Sequence, residues 1–460
     1  MKFCGLELPV RTLPELDSGF IPLEAFFAAH QKLAEKPLCI AVERSRGQIG
    51  VWETRIIARP DYAEADAYYV DRLVKFLLWS WGGFRVYVCG DEAMADVIAK
   101  AYSADGSRAF DKDFMERVYE RPFEVIGLSY DEKPAAFQVS EALGRHVNGC
   151  RIGFDAGGSD RKVSAVIDGE TVYSEEVVWF PKTNSDPDYH FNGIVEAFRT
   201  AASKMPRVDG IGVSSAGVYI DNKPMVASLF LKVAPEDYEK KVKNIYMRAA
   251  AEIGDVPLVV ANDGDVTALA GAMGLGDNAV LGVAMGTSEA VGYVDPDGNI
   301  TGWLNELAFA PVDGAADAMA DEWSGDIGCG VKYFSQDAVI KLAPRAGIEL
   351  TGASPAEKLK EVQALMATDD ARAAAVYRSI GVYLAHTLAL YARFYDVRHV
   401  LMLGRVMSGK GGDIILAVAD EVMGKEYPDL RFRPEAPDEK TRRVGQSVAA
   451  ASLPEITVEG

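Results

Sequence analysis

The feature that most constrains this chain is a glycine-rich turn between two apolar stretches, because it occurs twice. Asp155-Ala156-Gly157-Gly158-Ser159 separates a strand predicted at 151–155 from one predicted at 162–167, and Gly286-Thr287-Ser288 divides its flanking stretches in the same way. Each turn lies in a block where predicted strands and helices alternate, which is typical of α/β structure. A chain of 460 residues is also too long for one compact core. We therefore predict two related α/β lobes with a cleft between them.

The first turn has the residues of a phosphate-binding loop. Gly157 and Gly158 allow backbone N–H groups to point inward around phosphate oxygens, and the motif continues through Ser159 to Lys162. Asp155 ends the strand, where a carboxylate can hold Mg²⁺, usually through water. A plain hairpin turn accounts for the same residues equally well, so both interpretations stay open.

The second turn places a glycine and two hydroxyls between strands, at Gly286, Thr287 and Ser288. A hairpin needs only a glycine and one polar residue, so a bare turn explains this segment less well. The pattern favours a second phosphate loop.

A third motif, Asn262-Asp263, ends an apolar strand and precedes an alanine-rich helix. Either residue could serve only as a helix cap. The functional interpretation is a carboxylate at the edge of the cleft, where Asp263 could accept a hydroxyl proton during phosphoryl transfer.

The fourth motif is the glycine-rich segment Gly404–Gly412, which nearly matches a P-loop. Gly411 stands where that loop needs a Mg²⁺-binding hydroxyl, and no first strand of a P-loop domain precedes the segment. We interpret it instead as a strand-to-helix turn that packs against the adenosine of a nucleotide, with Gly404, Arg405 and Gly409 as the contacts.

In this order the four segments resemble the phosphate and adenosine motifs of the actin-like ATPase superfamily, which includes hexokinases and heat-shock-protein ATPases. More narrowly, they resemble the ROK family of bacterial sugar kinases and sugar-responsive repressors. The resemblance covers residues 150–455 or thereabouts. It implies two actin-like (ribonuclease H-like) lobes with an ATP cleft, and transfer of phosphate from Mg-ATP to a sugar-like hydroxyl.

The resemblance also assigns roles to individual residues. Asp155–Ser159 looks like the DxGGT motif of the family, and Gly286–Ser288 looks like its second phosphate loop. Gly212–Gly217 stands where the family has GxxxPG, a loop that faces sugar, which implies substrate contacts at Ser215 and Gly217. Asn262-Asp263 matches an Asn-Asp pair that binds substrate and whose Asp is the catalytic base.

Two departures from the family pattern concern sugar and metal. Asn305–Phe309 lies where the family has GExGH, so Glu306 can still accept sugar hydroxyl hydrogen bonds, but Phe309 replaces a histidine that binds sugar and metal. The cysteine-rich zinc motif is reduced to Cys329-Gly330. We therefore expect no structural zinc.

The domain organisation follows from the positions of the motifs and from a change in the pattern of predicted strands and helices after Cys150. We predict an extra N-terminal α/β accessory domain at 1–148, lobe I at 149–265 and lobe II at 266–435. A C-terminal helix at 436–460 is expected to return to lobe I, as the resemblance implies.

Composition excludes several classes of protein. A net charge of −20 argues against a surface that binds nucleic acid, because binding of the phosphate backbone requires clustered Lys and Arg side chains. No apolar run approaches the length needed to span a bilayer, and the five cysteines show no CxxC spacing. A reducing cytoplasm therefore fits best, and a homodimer is left open.

The predicted function is ATP-dependent phosphorylation of a sugar-like small molecule, with ATP and Mg²⁺ as cofactors. One alternative is a catalytically silent sugar or nucleotide sensor with the same fold, which the replacement at Phe309 favours. A second is an ATPase that drives a partner protein. Such activators commonly carry a cysteine cluster for an iron–sulfur site, and this chain has none.

Overall fold

The computed structural model describes residues 1–140, 143–438 and 445–456. The strands of these residues, in chain order, are β1 (Lys2–Phe3), β2 (Leu6–Glu7), β3 (Lys36–Glu43), β4 (Ile49–Ile56), β5 (Arg85–Cys89), β6 (Glu124–Leu128), β7 (Cys150–Ala156), β8 (Asp160–Ile167), β9 (Glu170–Val178), β10 (Gly210–Ser215), β11 (Val218–Ile220), β12 (Lys223–Val226), β13 (Leu258–Asn262), β14 (Val280–Met285), β15 (Glu289–Val294), β16 (His399–Leu403) and β17 (Pro434–Glu435).

The helices complete the element order. They are α1 (Leu23–Gln31), α2 (Ala63–Trp81), α3 (Glu92–Ala101), α4 (Ala109–Tyr119), α5 (Pro187–Ala202), α6 (Pro235–Asp237), α7 (Ile245–Ala251), α8 (Asp263–Leu275), α9 (Gln336–Leu342), α10 (Pro355–Ala367), α11 (Ala371–Tyr391), α12 (Lys410–Glu426) and α13 (Gln446–Ala451). Within the part of the chain that the structure describes, no helix is long and apolar enough to cross a membrane.

The chain forms two compact units. Unit 1 comprises Met1–Val139, Val283–Val291 and Gly302–Ala436. Unit 2 comprises the described residues of Ser140–Gly282, Gly292–Thr301 and Pro437–Gly460. The N-terminal segment thus shares a unit with the region after residue 302. The predicted domain boundaries at 148, 265 and 435 stay predictions.

Unit 2 is built on a five-stranded sheet of order β13-β10-β7-β8-β9. Strands β7, β10 and β13 run parallel, whereas β7, β8 and β9 form an antiparallel meander. The turn from β8 to β9 uses Asp168 and Gly169, both with positive φ (47° and 86°), as the sequence predicts for a tight hairpin. Apolar residues of α5 and α7 pack on the sheet and form its core.

Helix α13 packs on the strands β7 and β10 of unit 2 because both carry a glycine at the contact. A Cβ on Gly153 would lie 1.7 Å from the carbonyl oxygen of Ser447, and a Cβ on Gly212 would lie 1.7 Å from that of Ala450. The backbone of the helix therefore reaches the backbone of the sheet, which no larger residue permits.

Unit 1 contains a four-stranded sheet of order β4-β3-β5-β6, and a second four-stranded sheet of the chain has the order β15-β14-β16-β17. Residues 12–24 pack on the later part of the unit. Glu24 forms an ion pair with Arg393, and Nε2 of His386 lies 2.9 Å from the carbonyl oxygen of Thr12. Helix α11, whose residues are mostly buried, provides much of this surface. Residues 1–139 are therefore an integral part of the core of unit 1.

Local structure departs from the sequence prediction in a few places. The single helix expected at 236–254 is interrupted, because Asn244 leaves the helical region at φ −117° and ψ 20° before α7 begins. The strand expected at 430–436 is reduced to Pro434–Glu435. Of the final helix expected near 441–453, residues 441–444 lie outside the described residues.

Candidate functional site

The candidate residues of unit 2 gather at the carboxyl ends of three neighbouring parallel strands. Ser214 of β10 pairs in register with Asp155 of β7 on one side and with Ala261 of β13 on the other. Ser215 and Asn262 are the next pair along the same edge. In sheets of this kind ligands bind at the carboxyl ends of the strands. The edge therefore brings together residues that lie far apart in sequence.

Asp155 is buried at this edge, with 8% of its surface exposed. The hydroxyl of Ser214 donates to its Oδ1 over 3.0 Å, and the side-chain amide of Gln446 in turn donates to the Ser214 hydroxyl over 2.9 Å. Burial raises the pKa of Asp155 to about 6, the Ser214 hydrogen bond opposes that rise, and the negative charge of Asp263 adds to it. A cation beside Asp155 would favour the charged form of this carboxyl group.

Of the two roles that the sequence leaves open for Asn262 and Asp263, the structure assigns the helix cap to Asn262. Asn262 caps α8, since its Oδ1 accepts from the N–H of Gly264 over 2.7 Å, and its side-chain amide donates to the carbonyl oxygen of Gly217 over 2.8 Å. Asp263 is partly buried, and its Oδ1 accepts from the same N–H over 3.0 Å. Burial raises the pKa of Asp263, against the effects of that hydrogen bond and of the charge of Lys182. The helix thus has a cap that does not depend on Asp263.

Trp179, which directly follows β9, forms two hydrogen bonds with the turn between β7 and β8. Its indole N–H donates to the carbonyl oxygen of Gly157 over 2.8 Å, and its backbone N–H donates to that of Ser159 over 3.1 Å. Gly158 leaves room for Lys182, whose Nζ lies 2.9 Å from where a Cβ on Gly158 would be. Glycine backbone and a lysine ammonium group therefore converge at this turn, which is the chemistry that binds phosphate.

Other predicted residues of unit 2 are engaged within the fold. Ser215 is fully buried, and its hydroxyl lies 2.9 Å from that of Tyr246 and 2.6 Å from that of Tyr219. Gly217 has φ 130°, and a Cβ there would meet the carbonyl oxygen of Val226 at 2.5 Å. Lys162 is half-exposed, with its Nζ 3.7 Å from Asp160 and 3.8 Å from Glu176.

In unit 1, the second turn is packed against the segment that follows β16. The backbone N–H of Gly286 donates to the carbonyl oxygen of Ser288 over 3.0 Å, and Arg405 donates from Nη2 to the hydroxyl of Thr287 over 3.0 Å. A Cβ on Gly404 would lie 2.3 Å from the carbonyl oxygen of Met285. The structure therefore brings the second turn together with Gly404 and Arg405.

The P-loop-like part of the fourth motif forms the start of α12. Gly409 is the cap residue at φ 67°, and a Cβ on it would meet no atom within 4 Å. Lys410 forms an ion pair of 2.6 Å with Asp369. The lysine that a P-loop would direct at phosphate is thus paired with an acid, in agreement with the interpretation of this segment as a strand-to-helix turn, whereas its contact with adenosine stays a prediction.

Glu306 is positioned by the end of α2. The backbone N–H groups of residues 304, 305 and 306 donate to the carbonyl oxygens of Trp81, Ser80 and Trp79, over 3.3, 2.9 and 2.9 Å. These carbonyl oxygens have no partner within the helix, as at any helix end. Helix α2 thereby positions the backbone of the segment that carries Glu306, a residue predicted to bind substrate.

Phe309 lies in an aromatic cluster that also involves the N-terminal region. Its ring centroid is 4.5 Å from that of Trp79, 5.8 Å from that of Phe110 and 5.9 Å from that of Trp323. Phe309 is buried, with 6% exposed. An apolar cluster therefore occupies the position where the resemblance implies a histidine.

Cys329 is buried beside a network of charged groups. Lys75, which is fully buried, contacts Asp111 at 3.1 Å and Asp326 at 2.9 Å. Burial raises the pKa of the Cys329 thiol to about 12. Among the described residues, no group of three or more His, Cys, Asp or Glu side chains could hold a metal ion.

The structure brings several further residues to these sites. Ser214 lies within the Gly212–Gly217 segment but has no predicted role, and strand register places it beside Asp155. Gln446 and Lys182 belong to no motif, and a C-terminal helix and a loop place them. Glu289 follows the second turn directly and is 3% exposed, and its Oε1 accepts from the hydroxyl of Tyr391 over 3.1 Å. Burial raises the pKa of Glu289 to about 8. An acidic residue directly after a candidate phosphate loop was the available signal for Glu289.

Comparison with known proteins finds structural similarity to a hexokinase, a glucokinase and a transcriptional regulator. A ROK hexokinase from Thermus thermophilus is 18% identical, over 65% of this chain and 97% of that chain, with a TM-score of 0.50. A ROK family glucokinase from Streptomyces griseus, solved with glucose and AMPPNP, is 20% identical over 66% and 99%, with a TM-score of 0.48. A ROK family transcriptional regulator, a homologue of the E. coli MLC protein, is 17% identical over 67% and 79%, with a TM-score of 0.49. No protein-family model and no curated protein sequence matches the chain.

The fold is therefore the α/β, actin-like fold of the ROK hexokinase, and the predicted fold class and resemblance are confirmed. The match leaves about a third of this chain without a counterpart, since 65% of it is covered. The individual site residues stay predictions.

Proposed function

We propose that this protein is an ATP-dependent phosphotransferase that acts on a hydroxyl group of a sugar or sugar-like small molecule. The observation that carries the proposal is the edge of the unit 2 sheet. There Asp155, Ser214 and the Asn262-Asp263 pair end adjacent strands beside the turn at Gly157 and Gly158. The fold of a hexokinase supports the same class of reaction.

ATP and Mg²⁺ are the proposed cofactors. The glycine turns at 157–158 and 286, with Ser159, Lys162, Thr287 and Ser288, would bind the phosphates, and Gly404, Arg405 and Gly409 would contact the adenosine. Asp155 would hold Mg²⁺ through water, which suits a buried carboxyl group whose pKa is raised to about 6. Bound Mg²⁺ supplies charge neutralisation on the phosphates.

Asp263 is the proposed catalytic base. Its pKa is raised by burial, which makes its carboxylate a better proton acceptor than an exposed aspartate. It would take the proton of the acceptor hydroxyl as that oxygen attacks the terminal phosphorus of ATP, and the bond between this phosphorus and the bridging oxygen would break, so that ADP leaves. Asn262, Gly217 and Glu306 would bind the acceptor, and Ser215 would support that loop through its bonds to Tyr219 and Tyr246.

A sugar or nucleotide sensor without catalysis is the second candidate. The observation that favours it is the burial of Phe309 among Trp79, Phe110 and Trp323, because the side chain of Phe309 has no polar atom to contact a sugar. The buried Asp155 and the partly buried Asp263 favour the kinase, since neither carboxyl group is needed to hold the fold by itself.

An ATP-consumption screen against sugars, amino sugars and polyols tests the proposal. We expect acceptor-dependent ADP formation that requires Mg²⁺ and is lost in Asp263→Asn. Binding of nucleotide or sugar without turnover on any acceptor would favour the sensor instead. With its net charge of −20 the chain is expected to bind small molecules rather than nucleic acid.

A further inference from the structure

A groove of about 800 Å³ lies on unit 2, between the end of β9 and the helix α5. Its walls include Val178, Trp179, Tyr189, Asn192, Arg199 and Arg161. Arg161 and Glu196, which form an ion pair, also border a second hollow of about 310 Å³. The groove is large enough for a small metabolite.

This groove lies on the opposite face of the sheet from Asp155. Asp155 pairs with Lys162 across β7 and β8, so the side chains of these two residues share one face. Arg161 is the neighbour of Lys162 in β8, and successive side chains of a strand point to opposite faces. A ligand in the groove would therefore not occupy the candidate phosphotransfer site.

The guanidinium group of Arg161 has more hydrogen-bond donors than partners. Its side chain is 8% exposed, and Nη2 contacts Glu196 at 2.5 Å. Its Nε and Nη1 have no hydrogen-bond partner among the described residues. A buried charged group with unused donors is costly for the fold. A bound oxyanion would satisfy these donors, because a guanidinium group binds carboxylate and phosphate through paired N–H groups.

Helix α5 has a glycine where it packs against the guanidinium group of Arg161. Gly193 lies in the interior of α5, where glycine is less favourable than alanine. A Cβ at this position would lie 2.9 Å from Nη1 of Arg161 and 3.4 Å from the ring of Trp179. The present partner, Glu196, has a side chain that is 70% exposed, so a ligand oxyanion can replace it without disturbing the core.

We propose that this groove binds a small molecule that carries a carboxylate or phosphate group, with the oxyanion on Arg161 and an apolar portion against Val178 and Trp179. Val178 is 68% exposed, which leaves an apolar surface for such a portion. Glu196 takes the place of the oxyanion when the groove is empty. The ligand thus acts at a site separate from the acceptor.

Trp179 connects this groove to the phosphate turn. The same residue that lines the groove donates to the carbonyl oxygens of Gly157 and Ser159. Occupancy of the groove is therefore expected to change the affinity of the turn for nucleotide, and by linkage nucleotide changes the affinity of the groove by the same factor. This coupling rests on the proposed function, whereas the binding site itself does not.

Calorimetric titration of the full chain tests the site, with phenyl phosphate, phenylacetate and the neutral phenylacetamide as probes at constant ionic strength. We expect at least one anion to bind and the amide not to bind, and the preferred anion distinguishes phosphate from carboxylate ligands. Arg161→Gln should weaken anion binding about tenfold or more, because it removes a charge-assisted hydrogen bond. Glu196→Gln should strengthen it, and this exposed substitution does not endanger folding.

Arg199→Gln is the matched control, because Arg199 lines the same groove but is 61% exposed and already paired with Glu252. We expect this variant to bind the anion, and we expect the wild type to bind it also in the presence of saturating Mg-AMPPNP. Absence of anion binding to the wild type would overturn the site, as would equal weakening by Arg161→Gln and Arg199→Gln. Anion binding that leaves nucleotide affinity unchanged would overturn the coupling, and a failure of nucleotide to bind at all would instead count against the phosphotransferase.

Discussion

The hydroxyl of Ser214 donates to Oδ1 of Asp155 across two parallel strands, over 3.0 Å. Gln446 donates to the same hydroxyl over 2.9 Å and to the backbone carbonyl oxygen of Asp263 over 3.0 Å. A short polar network, to which α13 contributes Gln446, therefore joins the carboxylate of Asp155 to the backbone of Asp263.

Gly286→Ala tests the second phosphate loop. The nearest atom to a Cβ on Gly286 is 3.7 Å away, and its φ is not positive, so we expect an unchanged Tm. Nucleotide affinity should fall about tenfold or more if a phosphate group lies against this glycine. Gly424→Ala is the control, because a Cβ there meets no atom within 4 Å. Equal nucleotide affinities in the two variants would remove Gly286 from the site.

Much of the unit 2 site could be predicted from sequence, because local patterns specify its parts. Asp155 was indicated by its position at a strand end. Gly157 was indicated by the glycine pair, and Asp263 by the Asn-Asp motif before a helix. Ser214 and Gln446 could not be predicted, because strand register and the packing of a distant helix place them. The hydrogen bonds from residues 304–306 to the end of α2 could not be predicted either, because they join segments more than 200 positions apart.

Lys75→Met should destabilise unit 1 strongly. Lys75 is fully buried between Asp111 and Asp326, and removing one partner leaves uncompensated charge in the interior. Such a change typically costs about 3–5 kcal/mol in the free energy of unfolding. Lys425→Met is the control, because its pair with Glu421 is exposed on α12 and is expected to contribute about 0.3–0.5 kcal/mol. Denaturant titrations of both variants measure the difference, and similar losses would contradict the role of Lys75.

Glu289 is expected to make stability depend on pH. Burial raises its pKa from 4.5 to about 8, so the folded chain binds more protons than the unfolded chain between these values. The free energy of unfolding should therefore fall as pH rises through this window, by linkage. Glu289→Gln mimics the neutral form and should flatten the dependence, with its largest stabilisation relative to wild type near pH 8. Urea titrations across the window measure this, and an unchanged slope would mean that Glu289 is charged in the fold.

The protein is expected to purify without stoichiometric zinc. Cys329 is buried, and a thiol with a pKa near 12 is a poor metal ligand because zinc binds the thiolate. Phe309 offers no donor atom. Elemental analysis after dialysis against a weak chelator measures retained metal, and one zinc per chain would contradict the expectation.

Asp263→Asn separates catalysis from helix capping. Asn262 already caps α8 through its bond to Gly264, so the Tm should be unchanged, and Asn at position 263 is close in shape to Asp. Asn cannot accept the proton of the acceptor hydroxyl, and loss of a general base typically lowers turnover about 10²–10⁴-fold. Turnover, nucleotide affinity and Tm are measured on both proteins with an acceptor from the screen. A large fall in turnover at constant affinity and Tm identifies Asp263 as the base, because a residue that only capped the helix would change stability or nothing. Near-normal turnover would leave the reaction without its proposed base and would direct the search for another proton acceptor to the remaining carboxyl groups beside the two turns.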